Sequence, residues 1–348
     1  MQPKVKAHSV LSTGYTEVIV KKLISILTVA IAVMIGFAFL IPGPKKTVAE
    51  EKSEGDKLQI VAAIFPIYDW VQNILGENPG DAEVNMLLDT GVDLHSYQPS
   101  ADDIMQISAC DIFIYVGGES DKWVEDALKE AVNKDMVVIN LLNVLGDQVK
   151  EEELIAGMEG EEEEGEEEEP EYDEHIWLSL RNASVLTDHI AGAIAEADAA
   201  NADTYMSNAE AYKEKLSSLD AEYQEAVSAA EKDTLLFGDR FPFRYMTDDY
   251  GLSYFAAFPG CSAETEASFE TIVFLADKVN ELSLSSILTI EGSDHKIAET
   301  IRESTKSRDQ QILTMNSMQS TTLEDAEGGT SYLSIMEDNL EVLKEALK

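Results

Sequence analysis

Short apolar runs alternate with amphipathic stretches from residue 58 to the end of the chain. Residues 58–64, Leu-Gln-Ile-Val-Ala-Ala-Ile, read as a buried strand that breaks at Pro66, and residues 68–75 carry apolar side chains at helical spacing. Residues 84–88 predict a second strand that ends in the turn-rich Asp89-Thr90-Gly91. A helix is expected after Pro99, with Ser100 as its N-cap and Asp103 near its positive end. Residues 111–116 and 136–140 predict two more strands, with residues 123–132 helical between them.

Residues 182–232 are rich in Ala, Glu, Leu and Lys and contain no proline. From about residue 199 they predict one long helix, about 45 Å for some thirty residues at 1.5 Å each. The alternation then resumes. Strands are expected at 234–237, 253–257, 286–290 and 311–315, and helices at 242–250, 268–282, 332–347 and from a Ser293 cap through Ile301. Strands alternating with helices imply mostly parallel sheets covered on both faces. The predicted class is therefore α/β: two lobes, each a mostly parallel sheet flanked by helices, joined by a long rigid linker helix.

The boundaries follow composition. Residues 23–41 are nineteen residues without a charge, long enough to cross a bilayer or to serve as a signal segment, and Lys21-Lys22 put residues 1–22 in the cytoplasm. Residues 42–57 form a linker, 58–198 an N-terminal lobe, 199–232 the linker helix and 233–348 a C-terminal lobe. Everything after Pro42 is thus expected outside the cytoplasm, anchored at the cell surface. No cysteine lies near the apolar segment, which argues against lipid attachment there.

A formal net charge of −42 argues against nucleic acid as a partner and favours cations. Much of it sits in residues 151–174, including Glu161 to Glu164 and Glu166 to Glu169. Like charges at that density predict a solvated loop, and a loose cation collector if it borders a metal site. The two cysteines, Cys110 and Cys261, are too few for a disulfide framework or a thiolate cluster. They read as separate small buried thiols, with a single inter-lobe disulfide as the alternative.

Chemistry concentrates at two of the five histidines. His95 in Gly91-Val92-Asp93-Leu94-His95-Ser96-Tyr97-Gln98-Pro99 and His175 in Asp173-Glu174-His175-Ile176-Trp177-Leu178 each stand where polar residues meet an apolar run. Neutral imidazole is the commonest protein ligand for zinc, and two need only a carboxylate or water to complete a tetrahedral site. His189 reads as a structural histidine on an apolar helix face, and His8 precedes the apolar segment.

These motifs, with Ala63-Ile64-Phe65-Pro66-Ile67-Tyr68-Asp69, Val116-Gly117-Gly118-Glu119, Asp249-Tyr250-Gly251-Leu252 and Tyr332-Leu333-Ser334-Ile335-Met336 in this order, resemble the metal-specific solute-binding proteins of bacterial ABC importers, which take up zinc or manganese. The resemblance covers about residues 58–348. It implies two α/β lobes on a rigid helix with the metal in the cleft between them, and an ABC permease as membrane partner of a monomer. By position, His95 and His175 match the two ligands of the first lobe. The third ligand position falls on Arg240, which has donors only, and the fourth on Asn316, a poor transition-metal ligand.

Asp239, next to Arg240, and His295 or Asp294, at the opening of a helix, are the expected substitutes. The metal set is then His95, His175, Asp239 and His295, for Zn2+ with Mn2+ possible. No enzyme is expected. A zinc hydrolase would fit two histidines and a carboxylate, but no His-Glu-x-x-His helix or Gly-x-Ser-x-Gly elbow is present. An adhesion or scaffold module with a degenerate metal site is the other alternative.

Overall fold

The computed structural model describes residues 57–76, 82–159, 171–262 and 266–348. The apolar segment 23–41 and most of the poly-glutamate run lie outside these residues.

Eight strands form two four-stranded sheets. The first contains β1 (Leu58–Ala62), β2 (Ala82–Met86), β3 (Ile112–Tyr115) and β4 (Val137–Asn140) in the order β2-β1-β3-β4. The second contains β5 (Thr234–Phe241), β6 (Ser253–Pro259), β7 (Ser286–Ile290) and β8 (Gln311–Met315) in the order β6-β5-β7-β8. Every pairing is parallel. The two sheets therefore repeat one topology, with the first strand of each set between its second and third.

Helices fill the crossovers. Helix α1 (Phe65–Leu75) starts with Pro66 in its first turn, where a missing N–H costs nothing. The expected capping box opens α2 (Ala101–Ala109): Ser100 Oγ accepts from the Asp103 amide, and Asp103 accepts from the Ser100 amide. Short α3 (Val124–Lys129) and α4 (Leu141–Leu145) follow, then α5 (Leu180–Ala197), capped by Ser179. The expected long helix is α6 (Ala202–Ala229), 28 residues. In the second half come α7 (Arg244–Tyr250), α8 (Phe269–Leu282), α9 (Lys296–Ser304), α10 (Leu323–Glu327) and α11 (Tyr332–Ala346).

Along α6 the buried positions are Tyr205, Ala209, Tyr212, Leu216, Leu219 and Tyr223, spaced three or four apart on one face. That face touches both halves of the molecule. Tyr212 donates to Asp69 on α1 at 3.1 Å, and Tyr223 donates to the Met336 carbonyl on α11 at 2.6 Å. Helix α11 also sends Tyr332 against Trp70 of α1, edge to face with ring centres 5.4 Å apart. One apolar core runs through both sheets, and a smaller one, around Leu236, Phe258, Leu275 and Ile287, fills the outer side of the second. Domain closure that separated the halves would have to expose part of the shared core, so the packing opposes wide hinge motion.

Three expectations change. Strand β5 runs to Phe241 rather than ending at Phe237, through a register shift between Phe237 and Arg240. Asp239 and Arg240 thus belong to a strand end. Ser293 does not cap α9; its hydroxyl accepts the His295 amide at 3.3 Å in a turn, and His295 takes the N-cap position with φ 61°. His189 lies on the exposed face of α5, not on an apolar one. Both cysteines are free thiols.

Candidate metal centre

In both lobes the loops that leave the carboxyl ends of the strands face the same cleft, the place where open α/β sheets present ligand groups. His95 follows β2, on a 3-10 turn, Leu94–Ser96. Asp93 caps this turn, accepting the His95 amide at 3.0 Å, and so fixes the direction in which the imidazole leaves the backbone. His175 precedes a second 3-10 turn, Ile176–Leu178, and is fully buried.

The two imidazoles converge. His95 Nε2 lies 3.2 Å from His175 Nε2. Each ring's other nitrogen is engaged. His175 Nδ1 lies 3.0 Å from Asp173 Oδ1, an acceptor, so the ring keeps its Nδ1 proton and turns the Nε2 lone pair toward His95. His95 Nδ1 lies 2.8 Å from Ser120 Oγ and 3.6 Å from Glu174 Oε2. The Asp173 carboxylate fixes at His175 the tautomer that metal ligation requires, and at His95 the Ser120 hydroxyl, with Glu174 behind it, occupies the Nδ1 side and leaves Nε2 facing His175.

The electrostatics are uneven. Burial, then the neighbouring His175, push the His95 pKa down to about 3. Burial also opposes a charge on His175, but Asp173, Glu174 and Gln319 together outweigh it and hold that imidazole above its ordinary value. Burial raises Glu174 to about 7 and Asp121, on the Gly117–Asp121 turn, to about 6. The pair can share one proton between the Nε2 atoms, and a cation bridging them competes for the same lone pairs.

A third donor comes from the second lobe. Cys261 Sγ and the imidazole nitrogens of His95 and His175 all lie within 4.8 Å of one another, the one such group of three among the described residues. Cys261 leaves the end of β6 behind Gly260, whose missing side chain is required there: a Cβ would sit 2.8 Å from His175 Cε1. The Cys261 amide donates to Glu152 Oε1 at 3.0 Å. Burial raises the thiol pKa well above its ordinary value, whereas a coordinated cation would deprotonate it.

The structure does not bring Asp239 or His295 into this group. Asp239 spends its oxygens on backbone amides, Oδ1 on Arg240 and Oδ2 on Ile290. His295 Nδ1 lies 3.3 Å from Thr289 Oγ1. Arg240 pairs with Asp93 across the cleft at 2.7 Å rather than with Asp239. Asn316 is consumed by a turn, its side chain accepting the Met318 amide. A cavity of about 490 Å3 beside Arg240, lined also by Asp93, Asp239, Glu291, Asp294 and Ser320, offers a polar approach, and its carboxylates are already engaged by arginine, lysine, hydroxyl or amide donors.

Sequence reasoning missed Cys261, and it missed that the acidic stretch ends in structure. Asp173 and Glu174 are 2% and 1% exposed and stand directly behind the two imidazoles, while Glu151 pairs with Tyr172 in an antiparallel bridge at the root of the stretch. A cysteine after Phe-Pro-Gly at the end of a predicted strand was the available signal for the first. For the second, the surrounding glutamates hid two acids that serve histidines.

Two lobes of parallel α/β topology closing on paired imidazoles place the chain in the two-lobed, metal-binding solute-binding class. The model of the family described as zinc-uptake complex component A, periplasmic (ZnuA), matches residues 60–346, and the chain belongs to that family. It is 30% identical over 303 residues to the zinc-binding lipoprotein AdcA of Streptococcus pneumoniae, a match covering 85% of this chain and 57% of AdcA. This chain thus spans well under two thirds of that relative. With the high-affinity zinc uptake system protein ZnuA of Bacillus subtilis it shares 29% identity over 309 residues, 88% of this chain and 92% of that protein. Its fold is similar to the crystal structure of the Zn(II)-bound ZnuA-like domain of Streptococcus pneumoniae AdcA, with TM-score 0.65 and 29% identity over 84% of this chain and 99% of that one.

Proposed function

We propose that this protein captures a divalent transition metal, zinc first, between its lobes outside the cytoplasm and delivers it to the permease of an ABC importer. The observation that carries the reading is the 3.2 Å approach of His95 Nε2 to His175 Nε2 with both Nδ1 atoms engaged from behind. Two lone pairs aimed at one point, with a thiol from the opposite lobe in reach, form a donor set for a tetrahedral borderline-soft ion. The names of the relatives and the periplasmic family description support the same cargo and compartment.

In this reading the cargo is held by His95, His175 and Cys261, with Asp173 orienting the His175 ring and Ser120, whose amide Glu174 accepts, orienting the His95 ring. The ion replaces the proton between the rings and the proton on the thiol. Because donors come from both lobes, the occupied cleft differs from the empty one by small movements of loops, which a permease reads on the lobe surfaces. Anchoring through residues 23–41 and action as a monomer belong to the same proposal. Sulfur and imidazole donors favour zinc over manganese and calcium, which prefer oxygen.

Calorimetric titration of the purified protein with zinc, manganese and calcium tests the proposal. Zinc binding well below micromolar, with manganese and calcium weaker, is expected; no transition metal bound tighter than about micromolar would overturn it.

A further inference from the structure

The two donor loops are tied together by a side chain that cannot bind a metal. Arg240, near the end of β5, places Nη2 2.7 Å from Asp93 Oδ2, and each of the two side chains is 20% exposed. The other oxygen of Asp93 accepts the His95 amide at 3.0 Å. One carboxylate therefore holds the His95 turn with one oxygen and the second lobe with the other. On its other side the guanidinium reaches the Ser262 carbonyl at 3.5 Å, one residue beyond Cys261. The Arg240 backbone is fixed in turn by Asp239, which also accepts the Ile290 amide at the end of β7.

From this geometry we infer that Arg240 is a positioning residue for metal capture: paired with Asp93, it clamps the His95 turn of the first lobe to the Cys261 loop of the second and holds the donors at coordinating distance before an ion arrives. The inference rests on the reading of His95 and His175 as ligands. A charge-assisted pair that is mostly out of water is stiff, and ordering completed on folding is not charged against binding. The Asp93 carboxylate also neutralises the guanidinium, so the clamp does not repel the cation it serves. Arg240 stands where the resemblance places a third ligand. In this chain the inter-lobe contact at that position is made by an organic cation and does not wait for the metal.

A rival account treats Arg240 as a bare positive charge beside the site. The two accounts predict opposite signs. Arg240→Met keeps the aliphatic stem and frees a carboxylate; a clamp account expects zinc affinity to fall about tenfold, whereas a bare-charge account expects it to rise. Asp93→Asn keeps the oxygen that caps the His95 turn and removes the charge that holds Arg240, and the clamp account expects a similar fall. The double variant should be no weaker than the worse single, because both remove one contact. Arg240→Lys, which keeps the charge, should recover part of the loss.

The experiment is a competition titration of zinc against a fluorescent chelator on these variants, together with amide hydrogen exchange of residues 93–97 and 260–262 in zinc-free protein. Weaker zinc binding with faster exchange in both segments is the expected result. Unchanged or tighter zinc binding by R240M, or unchanged exchange in both segments, overturns the clamp. Should R240M fail to fold, D93N and R240K decide by the same readouts. Should the parent protein bind no zinc, the ligand reading falls while the exchange measurements still decide whether the clamp exists.

Discussion

The two lobes share a strand order but hold their donors differently. In the first lobe His95 stands within a 3-10 turn and His175 at the start of one, each with its amide accepted by an aspartate two residues earlier: Asp93 for His95 and Asp173 for His175. In the second lobe the candidate donor is one thiol on the loop after β6, packed against His175 through Gly260, and the neighbouring charged residues bind each other or the backbone. The comparison teaches that one lobe carries a preformed pair of imidazoles, while the other brings a thiol and an ion pair up to it.

The largest effect tests the prebuilt pair. Replacing His95 and His175 together by alanine should lower zinc affinity by on the order of a thousandfold or more, read by chelator competition, with the fold retained by circular dichroism. An unchanged affinity would place the site elsewhere. Next comes the second lobe's share. Cys261→Ala should cost about a hundredfold and abolish sulfur-to-metal charge-transfer absorption of the cobalt-loaded protein, while Cys110→Ala should leave both unchanged, since Cys110 is buried against Ile107 and Met136.

Asp173→Asn should cost between about tenfold and a hundredfold, the usual range for a residue that orients a ligating histidine. It also carries a pH signature. Binding displaces the thiol proton throughout the range below the raised Cys261 pKa, and a second proton below the raised His175 pKa, so zinc affinity falls as pH falls and falls more steeply below that point. Removing the Asp173 charge lowers the His175 pKa, and the break should move to lower pH. A break that stays in place would separate Asp173 from the proton on His175. The smallest effects are expected at Asp239→Asn and His295→Ala, no more than about twofold each in zinc affinity, because neither belongs to the group of donors within 4.8 Å of one another and each bonds elsewhere; a tenfold loss at His295 would restore it as a ligand.

Much of the fold was legible because strands buried on both faces are nearly continuous apolar runs; β7, buried at every position, begins and ends where the sequence predicts, and so does the edge strand β8. A cap was legible at Ser100, where its chemistry is local, and misread at Ser293, where the turn before the helix carries the chain on to His295. The end of β5 was not, because Gly238-Asp239-Arg240 reads as a turn and is kept in the sheet by a register shift and by Asp239 bonding to β7. His95 and His175 were legible as donors, each beside short motifs that build its own turn. Their meeting was not, since it depends on tertiary packing between residues eighty apart. Cys261 illustrates the same limit: a lone cysteine reads as a small core residue until the fold places two imidazoles beside it.

The most direct measurement is the coordination of zinc in the loaded protein, by a metal-bound crystal structure with anomalous scattering at the zinc edge. The account predicts one ion held by Nε2 of His95 and Nε2 of His175 at about 2.0–2.1 Å and by Sγ of Cys261 at about 2.3 Å, with Arg240 still paired to Asp93. An ion bound without either imidazole, or bound by both with Asp239 in the place of Cys261, would contradict it.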